Sequence, residues 1–305
     1  MVEVLWDKLE GDNALNWLQV VLLSVVQGLT EFLPISSSGH LALLENLLGW
    51  NANPQLKSLI VPFNTLLHFG TLSAVIAYFR HDIWNMLRLT PAHATDSEQT
   101  CASAHTLKDK DSPAHYQLAS RTWLLFILVA NVPTGIIGIL LEKATEEASI
   151  SLYAVAISLI ITGVLLITAE WLSSRCTSDR PLTLFKALLI GCAQGIAVMP
   201  GLSRSGATIS AGLALGLSRD TAARFAFLIS IPAILAATFY EGRKLLAGIP
   251  GTPMQVIVAC VLAGVVGYLA IGIVMRAVRK GKLKWFALYC FIIAMVIIAG
   301  TFFHQ

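Results

Sequence analysis

Long apolar runs alternate with short polar breaks along this chain, and their lengths sort them into two kinds. Six runs are long enough to cross a hydrocarbon layer of about 30 Å: residues 58–79, 121–141, 151–172, 224–240, 255–275 and 284–303. The others come as pairs of shorter pieces. Residues 17–33 are stopped by Pro34, and 41–48 follow after a polar SSSGH. Residues 184–199 run into Pro200 and Gly201, and 205–217 follow. No single piece crosses alone, so each pair reads as two half-helices meeting at a polar tip. Non-helical backbone is tolerated at membrane depth only where it is buried in protein or faces a water-filled cavity. The pattern predicts an all-α polytopic membrane protein: six transmembrane helices plus two re-entrant helix hairpins, in a single domain over 1–305. A tight acidic turn is expected at Glu142, Glu146 and Glu147.

The two polar tips are related. Slid by 167 residues, Gln27 falls on Gln194, Gly28 on Gly195, Ser36 on Ser203, Ser38 on Ser205, Gly39 on Gly206, Leu48 on Leu215 and Gly49 on Gly216, without a gap. The overlay implies a repeat, which we place at about 17–141 and 151–303. Charge placement sets its sense. Arg80, Arg88, Lys108, Lys110 and Arg121 flank one loop; Arg276, Arg279, Lys280, Lys282 and Lys284 another; Arg175, Arg180 and Lys186 a third; Arg219 and Arg224 a fourth. The opposite side holds Lys8, Lys57, Lys143, Arg243 and Lys244. By the positive-inside rule the first group is cytoplasmic. Both termini are then extracytoplasmic, and the hairpins enter from opposite faces. Inverted repeats with broken helices place substrate sites near the midplane.

Composition agrees. The 305 residues are 56% hydrophobic and 13% charged, with mean hydropathy +0.72, against about 25% charged in a soluble domain. The cysteines, Cys101, Cys176, Cys192, Cys260 and Cys290, make no metal spacing and read as apolar filler. The acidic first sixteen residues do not fit a cleavable signal peptide. The one sizeable hydrophilic stretch, about 80–120, carries His81, His93, His105 and His115 too widely spaced for a helical metal face, and is expected to be a solvated cytoplasmic loop.

Chemistry concentrates at the tips. An arginine at a lipid-facing helix centre costs roughly 2.5–3.5 kcal/mol on insertion scales, so Arg204 needs an anionic partner, and its planar fork suits phosphate. Ser203, Ser205 and Thr208 add hydroxyls. Gly201 and Gly206 let backbone N–H groups approach an anion at a helix start. In the first tip Gln27 and Glu31 lie one turn apart, and Ser36, Ser37, Ser38, Gly39 and His40 follow Pro34. A carboxylate, hydroxyls and an imidazole are the parts of an activated-nucleophile site. The plainer reading makes the serines helix caps and His40 a satisfied interfacial histidine. His68 and Asn131 fall inside spans, where they either line a cavity or pack.

At these residues the chain resembles the undecaprenyl-diphosphate phosphatase, or bacitracin-resistance, family over nearly its whole length. QGLTEFLPISSSGH matches that family's (E/Q)GxTEFLPxSSxGH, and PGLSRSGATIS its PGxSRSGATIS. The resemblance implies a bacterial plasma-membrane enzyme that removes the terminal phosphate of undecaprenyl diphosphate, recycling a lipid carrier of peptidoglycan synthesis, in a site open to the outer face. Its expected partners are the polyprenyl diphosphate and membrane lipids, with no nucleic acid; a homodimer is left open. Carried over, Ser37 is the expected nucleophile and Glu31 the base, with His40 and Arg204 completing the catalytic set. Gln27, Ser36, Ser38, Gly39, Ser203, Ser205, Gly206 and Thr208 are the expected substrate-binding residues. A divalent cation, magnesium or calcium, is implied, with Glu31 as its ligand. Gln27 stands where some members have Glu, which leaves one carboxylate. A phosphohistidine route through His40 is the rival chemistry.

Two other functions compete. Inverted repeats also suit a flippase of a polyprenyl phosphate. A second lipid-phosphatase superfamily pairs PSGH with SRxxxxxH; SSSGH is similar, but after Ser203 and Arg204 the near registers offer Ile209, Ser210 or Ala211, so it is set aside.

Overall fold

The computed structural model describes residues 15–50, 52–87, 120–149, 151–175, 180–242 and 251–303. Most of the hydrophilic 80–120 stretch and both chain ends therefore lie outside the described residues. Those described form helices and connecting turns. In order these are α1 (Trp17–Phe32), α2 (Ser37–Leu47), α3 (Pro54–Tyr78), α4 (Arg80–Leu87), α5 (Ser120–Leu140), α6 (Glu142–Ser149), α7 (Leu152–Arg175), α8 (Leu184–Ile196), α9 (Arg204–Ala214), α10 (Arg219–Gly242), α11 (Pro253–Arg279) and α12 (Leu283–Phe303).

Six of them, α3, α5, α7, α10, α11 and α12, are long and apolar enough to cross a membrane. These are the six expected spans. The pairs α1/α2 and α8/α9 are consistent with the expected re-entrant hairpins. At 16 and 13 residues, α1 and α8 reach only about 24 and 20 Å at 1.5 Å per residue. Asn16 starts α1 by accepting the Leu18 N–H at 3.0 Å, and α1 ends before Leu33-Pro34, where proline disfavours helix in the residue ahead of it. Each hairpin closes on a glycine with positive φ, Gly49 at 73° and Gly216 at 79°, the pair the overlay superposes.

Two expectations need correction. The acidic turn at 142–147 belongs to a helix, α6, because Glu, Lys and Ala are good helix formers; Glu142 there accepts the Tyr240 hydroxyl at 2.6 Å. The solvated loop begins as a helix, α4, because Met86 is buried and Ile83 packs on the core, while Asp82 pairs with Arg224 of α10 at 2.9 Å.

Packing relates the halves. Helix α11 lies along α1 as α5 lies along α8, while α3 meets α10 and α7 meets α12. These pairings interchange if α1, α2, α3, α5 and α7 correspond to α8 through α12. Close approach depends on small residues at equivalent places. A Cβ on Gly28 would meet the Ala263 carbonyl of α11 at 2.8 Å, and one on Gly195 would meet Ile137 of α5 at 2.8 Å.

Candidate active site

Both hairpins solve the same local problem in the same way. Ser36 caps α2 by accepting the Gly39 N–H at 3.2 Å, and Ser203 caps α9 by accepting the Gly206 N–H at 3.1 Å. Each capping oxygen lies beside the next-but-one hydroxyl, Ser38 at 3.3 Å and Ser205 at 3.2 Å. The first residue of the new helix is Ser37 in one hairpin and Arg204 in the other. The tips also touch. Gly201 N–H donates to Ser38 Oγ at 3.2 Å, and Ser205 Oγ donates to the Leu33 carbonyl at 3.3 Å.

Glu31, on the last turn of α1, sits where the tips converge. Its side chain is only 5% exposed. Ser37 Oγ donates to Glu31 Oε2 at 2.7 Å, and Gln27 Nε2 donates to the same oxygen at 3.0 Å. Arg204 stands on the other side, one guanidinium nitrogen 3.7 Å from Glu31 Oε1. That is an ion pair too long for a hydrogen bond. The same nitrogen is buried without a hydrogen-bond partner, so the cation has donor capacity to spare. A small pocket opens beside it, lined by Glu31, Phe32, Arg204, Ser205, Ala226, Phe227 and Ser230.

The other expected site residues divide. Ser36 and Ser203 are spent as caps, and the Gly39 and Gly206 N–H groups on those caps. Thr208 donates to the Arg204 and Ser205 carbonyls of its own helix at 2.8 and 3.3 Å, so its hydroxyl proton is taken. Ser38 joins the hairpins, and Ser205 both joins them and lines the pocket. His40 does not turn to Glu31. Its Nδ1 lies 2.6 Å from the Ser36 carbonyl and its Nε2 2.9 Å from the Tyr289 hydroxyl, with the rings stacked. Histidine thus holds the backbone just before Ser37. That backbone is strained: Ser36 has φ 71°, the only non-glycine with positive φ among the described residues. Such a conformation costs of order 1–3 kcal/mol, and here it turns Ser37 toward Glu31.

Two residues enter unassigned from the sequence. His68 of α3 places Nδ1 3.0 Å from Gln27 Nε2 and 3.5 Å from Glu31 Oε2. Thr162 of α7 accepts the Ser203 N–H at 3.1 Å, fixing the start of α9. Asn131 lies elsewhere. It and Thr134 receive the Gln194 amide at 3.4 and 3.2 Å, beside the second hairpin, which has Val198 where the first has Glu31.

For a divalent cation the donors are few. Among the described residues no three His, Cys, Asp or Glu side chains cluster. Glu31 offers its carboxylate, and Gln27 Oε1 is buried without a partner. Magnesium sites commonly combine one or two protein oxygens with substrate phosphates and water, and this donor set fits that kind of site and no fuller cage.

Fold and site together define a polytopic membrane protein with a serine–carboxylate pair, and an arginine with one unbonded nitrogen, between two helix hairpins. The profile of the family described as Bacitracin resistance protein BacA matches residues 20–296, and the chain belongs to that family. Among curated relatives, an "Undecaprenyl-diphosphatase" of Halothermothrix orenii is 37% identical, covering 93% of this chain and 98% of its own. Proteins of the same name from Methanosphaera stadtmanae (36%; 93% and 98%) and Chlorobium luteolum (38%; 89% and 92%) are similar to the same extent.

Proposed function

We infer that this chain hydrolyses undecaprenyl diphosphate to undecaprenyl phosphate and inorganic phosphate. The observation that carries the reading is Ser37 bound to Glu31 beside an Arg204 nitrogen with nothing to bond. In the first step Ser37 Oγ attacks the terminal phosphorus and its proton passes to Glu31 Oε2. The bond from phosphorus to the bridging oxygen breaks, and its electron pair leaves with the lipid monophosphate. Arg204 faces the charge that develops on the transferred phosphoryl group. Glu31 then gives that proton up to the departing lipid monophosphate and is a carboxylate again. Water attacks the phosphoserine phosphorus and passes a proton to Glu31, the bond from phosphorus to Ser37 Oγ breaks, and Glu31 returns the proton to Ser37 Oγ as inorganic phosphate departs. Ser37 is favoured over His40 as nucleophile because it alone of the two bonds Glu31, whereas both His40 nitrogens have other partners.

A divalent cation bound here would neutralise diphosphate charge, with Glu31 and Gln27 Oε1 as its protein ligands. A chelator then lowers turnover, and magnesium or calcium restores it.

The charge asymmetry supports a plasma-membrane orientation with both termini outside and the 80–120 stretch inside. By the charge pattern Cys101 and Cys176 fall on the inner side of that arrangement. They should react with an impermeant maleimide only after the cells are permeabilised; labelling of intact cells at either would reverse the orientation.

The deciding experiment is phosphate release from undecaprenyl diphosphate by the purified chain in detergent. Release supports the reading, and its absence with a well-folded chain at substrate saturation ends it. The flippase alternative has no separate observation in its favour.

A further inference from the structure

We propose that His68, midway along α3, is a positioning residue that aims Glu31 at Ser37 by holding the Gln27 amide. The inference deepens the phosphatase reading and rests on it. His68 Nδ1 is within hydrogen-bond distance of Gln27 Nε2, at 3.0 Å, while its 3.5 Å separation from Glu31 is long for one. Gln27 Nε2 also donates to Glu31 Oε2 at 3.0 Å. A primary amide nitrogen carries two N–H bonds, and here each has an acceptor, one a carboxylate and one an imidazole. The direction of the amide follows. Turned over, Gln27 would set an oxygen against the carboxylate at the same distance. The tautomer follows too: Nδ1 accepts, so the neutral ring carries its proton on Nε2.

The consequence reaches Ser37. Glu31 Oε2 receives the serine hydroxyl and the Gln27 N–H together. Fixing one donor fixes the oxygen that the other must find. Without an acceptor behind it, the amide is free to rotate, and the carboxylate loses the contact that opposes its turning toward Arg204.

The opposite hairpin provides an internal comparison. There Gln194 donates to Asn131, Thr134 and the Ile229 carbonyl, and no carboxylate stands where Glu31 does. The imidazole occurs in the half that has a base to orient. Nor is His68 packed away as filler: its side chain is 27% exposed, whereas Gln27 is fully buried.

Phosphate release by the full chain in detergent tests the proposal with His68→Leu, His68→Asn, Gln27→Leu and the double variant His68→Leu/Gln27→Leu. His68→Leu should lower kcat about tenfold or more with KM within about twofold, the worth of one hydrogen bond steering a charged group. His68→Asn, whose Oδ1 falls where Nδ1 does, should keep most of the activity. In the Gln27→Leu background, His68→Leu should cost nothing further, because the two residues act as one. Melting temperatures are taken in the same detergent. Full activity in His68→Leu overturns the proposal. So does an Asn variant as poor as Leu, a double variant whose losses multiply, or a kcat loss that merely follows a lowered melting temperature. A wild-type chain that releases no phosphate removes the phosphatase reading itself and this proposal with it, and that result is distinguished by coming before any variant is made.

Discussion

Ser37 and Arg204 occupy equivalent positions, each the first residue of the second helix in its hairpin, and both reach Glu31, one at each carboxylate oxygen. The two hairpins therefore differ at the position where they meet: one supplies a hydroxyl, the other a cation. Ser37→Ala and Glu31→Gln should each lower phosphate release by at least about a hundredfold, because a nucleophile and its base act as a unit. Arg204→Lys should fall with Arg204→Ala rather than with wild type, since a single ammonium does not replace a planar fork on phosphate. Steady-state kinetics on the purified variants decides. Lysine restoring more than half the activity would reduce Arg204 to a point charge.

The strain at Ser36 gives a second, opposite-signed pair. Ser36→Ala loses the cap on α2 and keeps the positive φ, whereas Ser36→Gly gives up little as a cap and removes the conformational penalty. The glycine variant should be the more stable by about 1–2 kcal/mol. Thermal unfolding in one detergent measures it. Both variants should turn over slowly, the glycine one because Ser37 is no longer held in place. A glycine variant less stable than alanine would mean that Ser36 is not strained.

Much of this was legible in the sequence for identifiable reasons. Hairpins announce themselves because proline and glycine break short apolar runs that cannot otherwise cross a bilayer. The overlay of Gln27 on Gln194 works because helix contacts at Gly28 and Gly195 and caps at Ser36 and Ser203 impose the same residues twice. What the pattern hid was partnership. Nothing distinguishes Thr208, which bonds its own helix, from Ser205, which crosses to the other hairpin. His40 sits in the motif yet faces Ser36 and Tyr289, the latter 249 residues on. His68 is a lone histidine in an apolar helix, and only the fold sets it beside Gln27. Helix α6 looks like a turn in the sequence because acidic clusters between spans resemble loops, although their propensity is helical.

At the end of α10 that carries Asp220, the carboxylate ties two helices. Asp220 takes Arg224 at 2.8 Å and Arg279 of α11 at 2.6 Å, and Arg224 reaches on to Asp82 of α4 at 2.9 Å. Asp220→Asn should cost about 1–2 kcal/mol, above an exposed pair because the carboxylate is largely covered and shared. Arg279→Gln, at a half-exposed arginine, should cost under about 1 kcal/mol. Melting temperatures at low and high salt separate the two: the Arg279 effect should shrink as salt screens it, and the Asp220 effect should persist. Equal and fully screened losses would make the network a surface feature.

Gly201 carries the sharpest steric prediction. Its φ is 84°, and a Cβ there would fall 2.6 Å from the Val155 carbonyl oxygen and 2.8 Å from the Val155 Cα, both backbone atoms of α7. Backbone cannot swing aside as a side chain can. Gly201→Ala must therefore push the tip away from α7 while adopting a conformation alanine disfavours, at a combined cost of about 3 kcal/mol or more. The same displacement pulls the Gly201 N–H from Ser38, so activity should fall with stability. Gly135→Ala in α5 is the control, since nothing lies within 4 Å of its Cβ position, and there the better helix former should raise stability by about 0.5–1 kcal/mol. Thermal unfolding and phosphate release on both variants test the argument together. If Gly201→Ala melts with wild type and turns over normally, the two tips are not in contact as described.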